Sequence, residues 1–475
     1  MEAPGTGFLG KAIIEKILYS CPDVHRIYLL IRCKKGVEIH DRMKKFKDDQ
    51  IFNRIKEKDE KLLDKLIPVA GDLISLRLGL SDEDLKKMEN VSVILNSAAT
   101  VRFDETLHDA ILTNTRSARE LVLIAEKLKN LKILVHISTT FCNPTYKVIE
   151  EEVYPPLADW RQAIKLAENL DEDTLDTFSE KYMNFQPNTY TFTKGLTEQI
   201  MKEYSEKLPI IIFRPSMIKE PYPGWVDNFN GLAGIIAIGS SGLGRVFYNN
   251  LKINANCQPL DVCVRSLLVA TWKHSLALNT DLTTYNCACN KEKCLSTSSI
   301  FNEFYGMVSK IPVDEMIWYP TATITPYYIL YKILFFFFQI IPGIFFDMIF
   351  RVMKKKPIAL KILRKFYFAS VSLSYFMFRE WDFLNKNLIN LMNDVKPEDK
   401  EAFAFDFYDK INDQEYAYIA GLGGRRYLLK QKDENLPRAK RNYKIFWFLD
   451  RALKAIFGFV VLWFLLVRYD LLNVV

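Results

Sequence analysis

Four short apolar runs punctuate the first half of the chain: Ile27–Ile31, Leu66–Ala70, residues 91–95 and Ile133–Ile137. None alternates with polar positions, which is the pattern of strands buried on both faces. Helical stretches separate them, from Lys11 to Cys21 and over 105–128. Buried strands alternating with helices predict a parallel α/β sheet that takes ligands at its carboxyl edge. A further long helix is predicted to begin around Asn188-Thr-Tyr190. Residues 144–187 ahead of it are more than a minimal crossover needs. Within them the acidic stretch 168–180 fits a solvated helix face or a mobile flap.

The C-terminal part changes character. Residues 327–350 are dense in aromatics, including Phe335 to Phe338, but hold Lys332, Gln339, Pro342 and Asp347. This segment fits a bilayer crossing, an interfacial helix or a buried one, with a kink near Pro342. Residues 445–467 form a cleaner apolar stretch. As a helix rising ~1.5 Å per residue it is long enough for a hydrocarbon core of ~30 Å. Asp450, Arg451 and Lys454 interrupt its first half. Long basic side chains can snorkel, so a membrane anchor is the favoured reading. Arg438, Lys440, Arg441 and Lys444 precede it and would hold the rest of the chain on the cytosolic side.

A chain of 475 residues exceeds one compact core and predicts two or three units. The net charge of +7 suits a membrane surface or phosphate-bearing ligands. Without blocks of Lys and Arg it argues against a nucleic-acid partner. The 8 cysteines have no secretory signal peptide ahead of them, so reduced thiols are expected. Cys287, Cys289 and Cys294 cluster locally, but no second cluster or histidine completes a zinc pattern; loop cysteines are the better reading.

Candidate chemistry sits at the ends of these elements. Gly5, Thr6, Gly7, Phe8, Leu9 and Gly10 match the end of a dinucleotide fingerprint. There, glycines let backbone amides at a helix N-terminus approach a pyrophosphate. Arg32, closing the run Ile27–Ile31 and followed by Lys34 and Lys35, stands where an adenosine ribose is recognised. A cation there favours the 2′-phosphate of NADP over NAD; a solvated basic turn is the alternative. Asp72 and Leu73 form a strand-end turn that could meet the adenine. Asn96, followed by Ser97 and Ala98, allows close backbone approach, and Asn114 lies within the helix 105–128. Ser138 ends the run Ile133–Ile137 and is either a turn residue or a hydroxyl aimed at a substrate oxygen.

Tyr190 and Lys194 stand four apart, on one helix face. A free tyrosine titrates near ~10; a lysine cation beside it would lower that value and let the phenol serve as an acid. The same lysine can hold a ribose hydroxyl of a nicotinamide cofactor. An ordinary amphipathic helix also supplies such a pair. Cys142 lies near Ser138 without a neighbour in sequence that would activate a thiolate.

The segments PGTGFLGK, IYLLIR, GDL, NSAA, HISTTFCN, YTFTK, FRPS and EPYPGWVDN occur in this order. Together they resemble the fatty acyl-CoA reductases of the extended short-chain dehydrogenase/reductase superfamily, the insect-type enzymes most closely. The resemblance covers nearly the whole chain, including the regions around Arg379-Glu-Trp-Asp-Phe383 and Arg426-Tyr-Leu-Leu-Lys430. It implies a Rossmann-like doubly wound parallel sheet, a mainly helical C-terminal domain and a C-terminal membrane segment. The blocks expected are a reductase domain over 1–270, a substrate-side region over 271–350, a C-terminal domain over 351–432 and an anchor over 445–467. The implied activity is NADPH-dependent reduction of a long-chain acyl-CoA to a primary alcohol with release of CoA. Tyr190, Lys194 and Ser138 would be catalytic, and the setting a peroxisomal or endoplasmic reticulum membrane. The loop from Pro221 to Asn228 would wall an acyl channel.

Two departures accompany the resemblance. The family pattern opens with a β-strand and Thr-Gly; here Ala3-Pro4 precede Gly5, so the first strand of the sheet is expected to be missing and cofactor binding weakened. The segment after Ile218 also runs into Lys219-Glu-Pro221 sooner than in the family. Two rivals follow: another NADP-dependent lipid dehydrogenase, or a catalytically impaired, membrane-bound lipid-binding homologue.

Overall fold

A computed structural model describes residues 4–33, 36–219, 224–229, 231–277, 281–289, 294, 296–406 and 413–468. The chain divides into two units. The first takes Met1–Tyr222, Asn254–Leu295 and Arg379–Ile411; the second takes Pro223–Ile253, Ser296–Phe378 and Asn412–Val475. The sequence pointed to consecutive blocks. The units interleave instead, because segments distant in sequence return to the first sheet.

In the first unit the apolar runs form parallel strands. β1 (Ile27–Ile31) pairs with β2 (Leu66–Ala70). β3 (Val93–Asn96), β4 (Ile133–Ile137), β5 (Ile210–Pro215) and β6 (Thr283–Cys287) form a second sheet in the order β6-β5-β4-β3. β4 and β5 are buried at every residue, which explains why they are apolar without alternation. No ladder joins β1 to β3 among the described residues. Both sheets have the parallel strands of a doubly wound fold. β3 is the edge of its sheet, and Val93 keeps 40% of its surface exposed. The α/β class and parallel sheet are as expected.

The helices cover these strands. α1 (Phe8–Ser20) buries Ile14 and Leu18 with Leu29 and Ile31 of β1. A helical run of Leu107–Ala110, a π-turn Ile111–Arg116 and Ser117–Ala125 (α2) joins α3 (Thr189–Tyr204) over β4 and β5, burying Val122, Phe192, Ile200 and Leu134. The acidic segment is the exposed helix Glu172–Tyr182, whose one buried residue is Leu175.

The second unit is built on helices. A short parallel pair, Val246–Tyr248 with Thr323–Thr325, supports α4 (Tyr328–Val352) and α5 (Ala359–Met377). Phe247, Phe301, Tyr331, Phe335, Leu363 and Phe366 form its core. α4 passes Gln339 through a π-turn, Phe336–Ile340, and continues past Pro342 without breaking. It is the one helix among the described residues long and apolar enough to cross a membrane. The anchor stretch 445–467 lies inside a longer helix, α6 (Leu436–Arg468). Asp450, which interrupts it, accepts from Trp318 Nε1 at 3.0 Å and pairs with Lys454 at 2.7 Å. Beyond Lys454 the side chains of Ile456, Phe457, Phe459 and Val460 are exposed.

Candidate active site

α3 begins at a built cap: the Asn188 carboxamide oxygen accepts the Thr191 amide at 2.9 Å. Tyr190, Lys194 and Glu198 follow at intervals of four, so one helix face carries a phenol, an ammonium and a carboxylate. That face meets the carboxyl ends of β4 and β5. Lys194 Nζ donates to the carbonyl of Ile137, the last residue of β4, at 2.7 Å. Glu198 receives both arms of the Arg214 guanidinium from β5, at 2.8 and 2.6 Å, with neither side chain more than 1% exposed. Arg214 also donates to the carbonyls of Glu150 and Glu152, at 3.0 and 2.7 Å. A buried pair this well satisfied holds α3 on β5; removing one partner of such a pair costs about 3–5 kcal/mol.

The hydrogen-bond partner of the Tyr190 phenol is Thr139, one residue beyond Ser138. Ser138 is buried and its hydroxyl has no partner among the described residues, as is also true of Thr140 and Ser216. Burial pushes the Tyr190 phenol above its ordinary value, and the Thr139 hydrogen bond works against that rise. Burial also lowers Lys194 to about 8, opposed by the Glu198 carboxylate. The ammonium was expected to lower the phenol. Here it is engaged with the Ile137 carbonyl and is not among the charges acting on Tyr190, so burial wins.

At the other side of the sheet, a short 3-10 turn Pro4–Thr6 leads to Gly7 at the N-cap of α1. Gly7 has no side chain, so the N-cap of α1 makes no side-chain hydrogen bond to the helix. Arg32 and Asp72 were assigned to different parts of the adenosine. They pair with each other, Nε to Oδ2 at 2.9 Å, at the ends of β1 and β2. Asp72 Oδ1 also accepts the Ile74 amide at 3.2 Å, closing the turn, while Leu73 packs on the Val69 and Leu78 cluster. Gly71 is required there, since a Cβ would come within 2.7 Å of the Leu78 carbonyl oxygen. Lys34 and Lys35 lie outside the described residues.

A family model described as male sterility protein, of the NAD-binding type, matches residues 5–267, and a second of that description matches 338–431. The chain is 36% identical over 464 residues to the fatty acyl-CoA reductase wat of Drosophila melanogaster, covering 97% of this chain and 89% of that one. It is 31% identical over 442 residues to fatty acyl-CoA reductase 1 of Homo sapiens, covering 92% and 86%. The chain belongs to the fatty acyl-CoA reductase family. Among solved structures, the terminal reductase domain of the myxalamid biosynthetic pathway superposes with a TM-score of 0.59 at 16% identity, covering 90% of this chain and 91% of that one. The reductase domain of a nonribosomal peptide synthetase from Mycobacterium tuberculosis gives 0.59 at 15% identity, with the same coverages of 90% and 91%. Both share the fold.

Within this family member, Asn96 and Asn114 are occupied by the fold. Asn96 Nδ2 meets His136 Nδ1 at 3.2 Å and its Oδ1 accepts the Ala98 amide at 3.3 Å. Burial and the nearby Lys194 and Arg214 charges push His136 well below its ordinary value, so the ring is neutral. Asn114 lies in the π-turn of α2, accepts the Thr100 amide at 2.8 Å and donates to Thr193 Oγ1 at 2.9 Å. It braces α3 beside Tyr190. Cys142 is inert as a nucleophile: burial and the Glu198 carboxylate raise its thiol to about 12.

Three features escaped the sequence. Thr139 was hidden in a run of similar hydroxyls, Ser138-Thr-Thr140, where only the strand pleat decides which one faces the phenol. The Glu198–Arg214 pair joins residues whose spacing carries no signal. Trp381 and Phe383, from the region matched by the second family model, pack edge-on against Phe141 at 5.4 and 5.3 Å, just past the Thr139 turn. Residues 221–223 of the expected channel wall lie outside the described residues, while Trp225 and Val226 are buried. Among the described residues no group of three or more His, Cys, Asp or Glu is arranged to hold a metal.

Proposed function

We propose that the chain reduces long-chain acyl-CoA to a primary alcohol, with NADPH as reductant and CoA released, while attached to an intracellular membrane of the peroxisome or endoplasmic reticulum. The observation that supports this most strongly is one helix face presenting Tyr190 and Lys194 to the carboxyl ends of β4 and β5, beside Thr139 and the unpaired hydroxyl of Ser138.

The residues fit a dinucleotide. The amides of Phe8, Leu9 and Gly10 at the N-terminus of α1 suit a pyrophosphate, and Arg32 suits a 2′-phosphate if it leaves Asp72 for it. Lys194 can move its ammonium from the Ile137 carbonyl to a ribose hydroxyl nearby. When bound, NADPH supplies hydride, once to the thioester and once to the resulting aldehyde.

The chain's own groups handle the oxygen. Ser138 and Thr139 donate hydrogen bonds that orient the carbonyl oxygen. Tyr190, kept protonated by burial, gives its proton to the oxygen as charge develops there. Proton return to the phenolate follows from Lys194, whose lowered value makes it a willing donor. The thiolate of CoA leaves the first addition product without a protein nucleophile, in keeping with the raised thiol of Cys142. In sum, one acyl-CoA, two NADPH and two protons become one alcohol, one CoA and two NADP.

Tyr190→Phe removes the proton donor and little else. The variant is expected to bind NADPH as tightly as the unaltered chain while forming alcohol at less than about a tenth of its rate. A rate above that would overturn the role of Tyr190. A second reading, a lipid-binding homologue with an impaired cofactor site, is favoured by the absence, among the described residues, of a ladder between β1 and β3. It predicts no NADPH-dependent shift in thermal unfolding for the unaltered chain.

A further inference from the structure

α4 presents two unlike faces. The inward stripe is Tyr331, Phe335, Gln339, Gly343 and Asp347, one residue every four, and all five are buried. Both Gln339 and Asp347 accept backbone amides. Gln339 accepts the Val246 amide at 2.6 Å, and Asp347 accepts the amides of Ala359 and Leu360 at 2.8 and 3.1 Å. The outward face is apolar apart from Lys332 and Arg351 towards its two ends, with Ile329 at 75%, Phe345 at 61% and Val352 at 84% exposure. A patch of this kind on a folded unit marks an interaction surface.

The neighbouring helix shows what covers it. Tyr331 stacks on Tyr367 and Phe335 on Phe366, while Leu363 approaches Gly343 and Asp347 caps the start of α5. The two helices therefore run antiparallel, and Lys361, Arg364 and Lys365 of α5 lie level with the middle of α4. All three are exposed. Lys354, Lys355 and Lys356 are exposed at the connection, and no acidic residue occurs between Asp347 and Glu380.

These charges decide between two ways of meeting a bilayer. If α4 crossed the membrane, Lys361, Arg364 and Lys365 would sit near the hydrocarbon centre, where each charge is costly. If the pair lies in the plane of one leaflet, the apolar face enters the acyl region and the same cations stay at the headgroups. There each is attracted to anionic lipid. We propose that α4 and α5 form an in-plane docking surface for a bilayer containing anionic phospholipid. This assignment is independent of the reaction proposed above.

The full chain, diluted from detergent onto sealed vesicles, tests it. A membrane-impermeant amine-acetylating reagent is added outside, and labelling is read by mass spectrometry. In-plane docking predicts that Lys332 and Lys354 to Lys356, at opposite ends of α4, label as readily as Lys86 of the first unit before any detergent is added. If either end needs detergent to react, α4 crosses the bilayer and the proposal is wrong. Binding to phosphatidylcholine vesicles is then compared with binding to vesicles that also contain phosphatidylserine. The unaltered chain should prefer the latter, and Lys354→Glu, Lys355→Glu and Lys356→Glu together should cut that preference by about a hundredfold or more, with far-UV circular dichroism unchanged. Equal binding of the unaltered chain to both vesicles, a preference that survives the triple change, or a dimer closed through this face that ignores both vesicles would each overturn it.

Discussion

At the scale of single residues, the site is governed by burial as much as by neighbours. Lys194 illustrates this. Its proton affinity falls from the ordinary 10.5 to about 8 because the ammonium is taken out of water, and Glu198, already shared with Arg214, restores only part of it. The unfolded chain therefore holds this proton more firmly than the folded one. The penalty is complete below about pH 8 and fades as pH rises from there to the unfolded value of 10.5. Lys194→Met, which keeps the length and discards the charge, is expected to leave stability at pH 7 unchanged or raise it by up to about 2 kcal/mol. It should also flatten the rise between pH 8 and 10.5 seen for the unaltered chain, while alcohol formation is lost. Denaturant unfolding across that range checks it; a variant less stable at pH 7 with the same slope would contradict the argument. The shared helix face of Tyr190 and Lys194 and the glycine turn ahead of α1 were legible in the sequence from their spacing. Thr139 and Glu198 were not, since only the fold shows what each touches.

At the scale of elements, four apolar runs became four parallel strands, because a strand buried on both faces has few other ways to be apolar throughout. β6 was missed: Thr283–Cys287 is polar in composition, and Thr284, Tyr285, Asn286 and Cys287 are nevertheless buried by pairing with β5 and by bonds such as Asn286 Nδ2 to the Leu384 carbonyl at 2.8 Å. Asn286 is hidden in sequence since its partners lie far along the chain. Among the described residues no ladder joins β1 to β3, and α1 starts at Gly7 directly after the turn Pro4–Thr6. An apolar strand of about five residues and a Thr-Gly turn placed ahead of Gly5 should pair with both β1 and β3. The extended chain is expected to unfold at a temperature higher by about 5 °C or more and to bind NADPH more tightly. If its unfolding temperature and NADPH affinity match those of the unaltered chain, the added strand does not pair between β1 and β3.

At the scale of the whole molecule, the sequence conveyed the family and the kinds of structure present but not how the segments are shared between units. Residues 379–383 resemble the family's C-terminal region, yet Trp381 and Phe383 pack on Phe141 in the first unit. Contacts of that kind depend on side-chain shape across long stretches of chain, which periodicity does not encode. The central claim is that this fold carries a thioester to an alcohol through two reductions, and product stoichiometry tests it most directly. The full chain in detergent is given a long-chain acyl-CoA with NADPH or with NADH, and cofactor oxidation, free CoA thiol and alcohol are measured together. On this claim, two NADPH should be oxidised and one CoA released for every alcohol formed, with a much slower reaction on NADH and less than about a tenth of the rate with Tyr190→Phe. Tight NADPH binding without conversion of any acyl-CoA, or an alcohol yield that Tyr190→Phe leaves intact, would contradict it.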